Sequence, residues 1–191
     1  GIWAGGYPHQ NTIDYVTIAS TGNAKDFGDA VFSGSYSTAN VASPTRGIKA
    51  GGRASGGSPQ NSIEYVTTAT LGNTQDFGDC IGNIYFSAGI SNSTRGIWGG
   101  GQTPSNTKLI QKIEIATLGN SQEFGDITTA CHSPGGASSS TRGCIAGGRA
   151  PSLLDNIDYI TIATEGNGVD FGNLTVGRAN IAGFSNDHGG L

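Results

Sequence analysis

A chain of 191 residues can form one domain of ordinary size with a real core. Its 33 glycines lie beside only 13% charged residues and no methionine, the composition of a turn-rich all-β chain; no G-X-Y period is present, which excludes collagen. A net charge of −4 without any Lys/Arg cluster argues against nucleic acid as a partner, and the lack of an 18-residue apolar run argues against membrane insertion by a helix.

Taken from residue 1, the chain opens with GIWAGG, and that opening returns as GIKAGG at 47, GIWGGG at 96 and GCIAGG at 143. Four units follow, 1–46, 47–95, 96–142 and 143–191, which together make one domain over 1–191. A strand-rich period in the forties points to a propeller or a β-solenoid.

Within each unit, the opening strand ends at a diglycine that lets backbones approach closely and turn. Variable turns follow at 7–12, 53–62, 102–109 and 149–156. Next come IDYVTIA, IEYVTTA, IQKIEIA and IDYITIA, rich in β-branched residues and read as strands covered on both faces. The segments GNAKDFGD, GNTQDFGD, GNSQEFGD and GNGVDFGN are read as loops, each inserting an apolar plug: Phe27, Phe77, Phe124 or Phe171. Two further strands are expected in AVFSGSYSTANVAS and its counterparts, ending at TRG. No segment carries a helical period.

Asp-Phe-Gly is also the magnesium-holding triplet of protein kinases, but a catalytic metal ligand is needed once, and here the motif recurs in every unit. No glycine-rich nucleotide loop or HRD-like segment accompanies it, so the triplet belongs to the repeat. His9, His132 and His188 lie in unrelated contexts, and no spacing suits a metal or a nucleophile elbow. Cys80, Cys131 and Cys144 form no spaced framework and are read as buried thiols; Cys144 stands where other units carry Ile2, Ile48 and Ile97. An enzyme, a cofactor and a metal are therefore not expected.

A hydrophobic strand ending in Gly-Gly, then Tyr15, Tyr65 or Tyr159, then an aromatic residue 12 positions later, resembles the kelch repeat. Phe replaces the usual kelch Trp, and Lys112 replaces the Tyr of the third unit. More narrowly, IDYVTIASTGNAKDFGD and STRGI resemble the kelch-like repeats of tailed-phage structural proteins, marine and cyanobacterial ones above all. The resemblance implies a kelch-like β-propeller on a virion surface or tail fibre. As a binding module it would recognise a host-surface glycan or protein; as a structural one it would contact other virion proteins. Oligomerisation would be the task of a region preceding residue 1.

The order of strands speaks to closure. Unit one lacks an innermost strand, while LTVGRANIAGFSN supplies a spare one at the end of the chain. Pairing of residues 179–186 with the first blade would close a four-bladed ring of about 48 residues per blade and remove both open edges. An open solenoid and a fragment of a larger ring are the alternatives.

Acid and base vary together along the repeat. Asp29, Asp79 and Asp126 are followed by Arg46, Arg95 and Arg142, whereas the fourth unit has Asn173 and then Asp187-His188-Gly189. This covariation predicts Asp–Arg pairs, the guanidinium forking onto carboxylate or carbonyl oxygens. The variable turns, set on a repeated framework, nominate Tyr7, His9, Arg53, Gln60, Gln102 and Arg149 as ligand-binding residues, although drift of exposed turns would give the same pattern.

Overall fold

A computed structural model describes residues 1–32 and 36–185. The chain is all-β and forms four antiparallel sheets. The first has three strands, β1 (Ile2–Ala4), β2 (Thr12–Tyr15) and β3 (Lys25–Asp29). The second has four, β4 (Ala39–Ala42), β5 (Arg46–Ala50), β6 (Ser62–Thr67) and β7 (Gln75–Asp79). The third runs β8 (Ala88–Ser91), β9 (Arg95–Gly99), β10 (Thr107–Glu114) and β11 (Gln122–Cys131). The fourth runs β12 (Gly135–Ser138), β13 (Arg142–Ala146), β14 (Asn156–Thr161) and β15 (Val169–Asn173).

Each four-stranded sheet thus takes its first strand from the end of one unit and the other three from the next. Two expectations are corrected here. DFGD is a strand rather than a loop, because it pairs in register with the IDYVTIA-type strand, as in Ser62 opposite Asp79. Only one strand, not two, forms between DFGD and TRG, because the intervening residues cross from one sheet to the next and TRG already begins the following strand.

Consecutive sheets are joined by the same contacts each time. The amide of Gly72 donates to the Phe27 carbonyl at 2.8 Å, Gly119 to Phe77 at 2.8 Å and Gly166 to Phe124 at 2.9 Å. The next residue, Asn73, Asn120 or Asn167, accepts from the amide of Asp29, Asp79 or Asp126 through its side-chain oxygen at 2.9–3.0 Å. The GN pair of one unit is therefore zipped onto the DFGD strand of the unit before it.

That approach explains the glycine of DFGD. A Cβ on Gly28, Gly78 or Gly125 would lie within 2.5 Å of the Gly72, Gly119 or Gly166 carbonyl, and φ at these positions is +145 to +155°. Behind the junction, the Phe of one sheet packs on the aliphatic strand of the next: Phe27 with Val66, Phe77 with Ile113 and Ile115, Phe124 with Ile160 and Ile162.

A second thread runs through the crossovers. Phe86 donates to the Ser37 carbonyl, Ser133 to Phe86 and Asn180 to Ser133, at 2.8–3.0 Å, each of these residues with φ between +54 and +61°. A third runs along the first strands, where a Cβ on Gly89, Gly136 or Gly183 would meet the carbonyl of Asn40, Gly89 or Gly136 at 2.2–2.4 Å.

Among the described residues, the C-terminal segment does not close a ring onto the first sheet. Residues 179–185 make no ladder with β1 among the described residues, and residue 186 lies outside them. The segment follows β12 instead, with the Ser185 hydroxyl donating to the Ser138 carbonyl.

Gly78→Ala and Gly172→Ala separate the junction from the backbone. Both glycines have φ above +140°, so each substitution strains the chain by about 1–3 kcal/mol. Nothing lies within 4 Å of a Cβ on Gly172, whereas one on Gly78 overlaps the next sheet. Urea unfolding should find Gly78→Ala less stable than Gly172→Ala by a further ~1–3 kcal/mol.

Candidate functional site

The residue after each diglycine sits on a shared rim. Gly52, Gly101 and Gly148, with φ of +104 to +112°, turn the chain so that Arg53, Gln102 and Arg149 meet the crossover residues Tyr36, Tyr85 and His132. Each meeting is a backbone bridge, as in Arg53 donating to Tyr36 at 2.9 Å and Arg149 to His132 at 2.8 Å. Tyr7 occupies the equivalent place in the first unit.

The first turn carries the most open part of the rim. Tyr7 is 78% exposed. Its ring lies 5.9 Å from His9 and 6.0 Å from Tyr36, and His9 lies 5.3 Å from Tyr36, all tilted or edge-on. Arg53 continues the row but is already engaged: its Nε donates to the Gly57 carbonyl at 2.9 Å, and the guanidinium covers Tyr85 at 4.7 Å. Gln102 points its amide at Pro104, and Arg149 is exposed, its carbonyl accepting from Asn106 at 3.0 Å.

Gln60 does not join them, its amide donating to Ser58 and Pro59 within its own turn. Tyr36, Tyr85 and His132 escaped the sequence reading because they lie in crossovers whose partners are set by the tertiary fold. His132 is half-buried, and burial, followed by the charge of Arg149, pushes its pKa below the usual histidine range. The imidazole is neutral at neutral pH, with Nδ1 3.0 Å from the Ser133 hydroxyl.

The expected Asp–Arg pairs are not formed. Arg46 donates to the Ile115 carbonyl at 2.7 Å, and Arg95 to the Ile162 and Ala163 carbonyls at 2.9 Å, in each case reaching the next sheet. Arg46 and Arg142 also stack over Tyr65 and Tyr159 at 4.6 and 4.9 Å. Arg95, in the sheet where Lys112 replaces the tyrosine, bonds Glu114 at 2.7 Å. Asp29, Asp79 and Asp126 contribute their backbones to the junction described above, which a sequence correlation cannot distinguish from a side-chain pair.

The acidic side chains that do brace the sheets follow the first Ile of IDYVTIA. Glu64 accepts from the Phe32 amide at 2.9 Å, Gln111 from Ile81 at 2.7 Å and Asp158 from Thr128 at 2.7 Å, always from the preceding unit. Glu64 is fully buried and also faces Lys49 Nζ at 2.6 Å across β5 and β6. These positions were legible only as an alternation of Asp, Glu and Gln inside an apolar strand.

Lys49 and Glu64 lie against a cleft of about 980 Å³ lined by β1, the first strands of the other sheets and residues 183–185. None of the six nominated turn residues lines it. Among the described residues, no three His, Cys, Asp or Glu side chains converge as metal ligands. Burial pushes the Cys80 thiol up to about 12, helped by Asp79, and Cys131 up to about 11, helped by Asp158. Cys144 is raised by burial and held back by Arg142. No protein-family model matches the chain, and no curated protein matches it.

Two measurements follow from these environments. Lys49→Met leaves a buried carboxylate without its cation and should cost about 3–5 kcal/mol in urea unfolding. Adding Glu64→Gln should recover most of that loss, because the third sheet already carries Trp98 opposite Gln111 at the same two positions. Iodoacetamide at neutral pH should leave Cys80 and Cys131 unmodified in the folded chain, Cys144 reacting first, with all three labelled once the chain is unfolded.

Proposed function

We propose that the four sheets are kelch-like blades of a non-enzymatic binding module, and that its ligand surface is the rim formed by the turns after the diglycines. The cluster of exposed Tyr7 with half-buried His9 and Tyr36 carries this reading. Aromatic faces beside hydrogen-bonding side chains suit a sugar, whose C–H face stacks while its hydroxyls are bonded. Arg53, Gln102 and Arg149 extend that surface, and these turns differ in both length and chemistry from unit to unit. With the resemblance to tailed-phage proteins, the ligand is a glycan or protein of the host surface, and the module sits distally on a virion fibre or surface protein.

A structural role in the particle, contacting other virion proteins, is the second reading. It is favoured by the apolar surface left open at the last sheet, where Phe171 and Val169 are exposed.

The test is Tyr7→Ala combined with Arg149→Ala. Arg53 is left in place because it braces its own turn. On an array of bacterial lipopolysaccharide and capsule fragments, and in adhesion to host cells, the double variant should lose at least tenfold in binding. Its stability should change by about 0.5 kcal/mol or less, as expected for exposed positions. Unchanged adhesion with an intact fold would remove the rim as the ligand surface.

A further inference from the structure

One crossover departs from the pattern that the others keep. Each crossover passes through a residue in the left-handed backbone region: Ser37, Phe86, Ser133 and Asn180, with φ of +61, +60, +56 and +54°. Three of these are short polar side chains, and Asn is among the residues that enter this region most readily. Phe86 puts a bulky aromatic side chain on the same backbone shape, which is a strained combination. Its main chain makes only the bonds of the shared thread, donating to the Ser37 carbonyl and accepting from the Ser133 amide, both at 2.8 Å. An Asn could make the same bonds without the strain. Burial does not explain the ring either. Phe86 is half-exposed, whereas Phe27, Phe77 and Phe124, which hold neighbouring sheets together, are 3–4% exposed.

What the ring does is complete a row along the rim. The Arg53 guanidinium covers Tyr85 at 4.7 Å, the Tyr85 ring lies 5.1 Å from Phe86, and Phe86 lies 5.7 Å from His132 at an interplanar angle of 38°. His132 is tied to Arg149 by backbone bonds in both directions, at 3.0 and 2.8 Å. Arg149 is exposed, and its charge is felt at the His132 imidazole. The surroundings are electrostatically one-sided. The turns at 53–62, 102–109 and 149–156 carry Arg53, Lys108 and Arg149 against Asp155 alone, in a chain with 14 acidic and 10 basic residues.

We propose that Phe86 is a sugar-stacking residue and that the sugar it takes is acidic, its ring lying on Phe86 beside His132 and its anionic group reaching Arg149. This rests on the reading of the rim as the ligand surface, and adds the charge of the ligand and the side chain beneath it. The C–H face of a pyranose matches the open face of a phenyl ring, and the neutral imidazole beside it offers a hydrogen bond to a hydroxyl. A planar guanidinium pairs through two parallel bonds with carboxylate or phosphate oxygens. Arg53, held on the Gly57 carbonyl at 2.9 Å, fixes Tyr85 from the other side, so the platform is formed before the ligand arrives. The strain at Phe86 is then a concession of stability to binding.

Phe86→Asn in the whole chain separates binding from packing. Asn suits the local backbone better, so the variant should melt at the same temperature as the parent or higher. On the array of lipopolysaccharide and capsule fragments it should lose about tenfold or more in binding to those bearing acidic sugars. Phe86→Leu, which keeps an apolar side chain without the flat face, should lose a similar factor, and Phe86→Tyr, which keeps the face, should bind within roughly threefold of the parent. Carboxyl reduction of the bound fragments leaves their rings and removes carboxylate charge; dephosphorylation removes phosphate. One treatment should abolish binding by the parent, and which one identifies the anionic group. A parent that binds neutral fragments equally well overturns the proposal. So does Phe86→Asn that melts lower and binds as before, since the ring would then be a packing residue. If both Phe86→Asn and Phe86→Leu bind like the parent while Tyr7→Ala with Arg149→Ala does not, the rim stands and Phe86 has no part in it. If the parent retains no fragment, the proposal and the reading of the rim as a glycan surface fall together.

Discussion

A main-chain approach between neighbouring sheets organises this molecule. Where the GN pair of one unit lies on the DFGD strand of the unit before, two backbones come so close that only hydrogen atoms fit between them. Glycine at 28, 78 and 125 is the consequence, and φ near +150° at those positions is the geometry that brings the carbonyls and amides into register. The hydrogen bonds there are repeated at each junction, so a side chain introduced between the two backbones would break several of them at once.

From that constraint the rest of each unit follows. The Phe before the glycine turns inward beneath the junction and is covered by branched residues of the next sheet, a burial that contributes roughly 1.5–3 kcal/mol for each ring. The acidic or amide side chain after the first Ile reaches back to catch an amide of the crossover. The arginine at the start of the next strand reaches forward to a carbonyl of the following sheet. Each unit thus leans on both neighbours, and stability is spread over sheet-to-sheet contacts rather than held in one central core.

The same economy frees the rim. Because the junction, the crossover thread and the first-strand thread hold neighbouring sheets together, the turns after the diglycines add only a few contacts between units, such as Asn106 on the Arg149 carbonyl and Arg53 over Tyr85. They can differ in length and chemistry without disturbing the stack, and they bring aromatic and cationic side chains together on a rigid support. Arg53 shows how a turn residue divides its role, holding its own loop through Gly57 while presenting one face of a stacked pair.

Much of this was written in local pattern. The fourfold unit, the all-β class and the placing of Tyr7, His9, Gln102 and Arg149 in turns are all readable from spacing and composition, since repeats and turn chemistry are properties of neighbouring residues. Three matters were settled only in three dimensions. DFGD is a strand because its partner lies eight or more residues upstream across a turn, which alternation within five residues cannot reveal. Arg46 and Arg95 choose carbonyls 69 and 67 residues away over the acids their covariation suggested, because the next sheet puts those oxygens in reach. Whether the last residues close onto the first sheet is a question of accumulated angle between sheets, a quantity carried by no single residue. The sequence by itself determined what each unit is; only the packing of unit on unit decided which surfaces remain open.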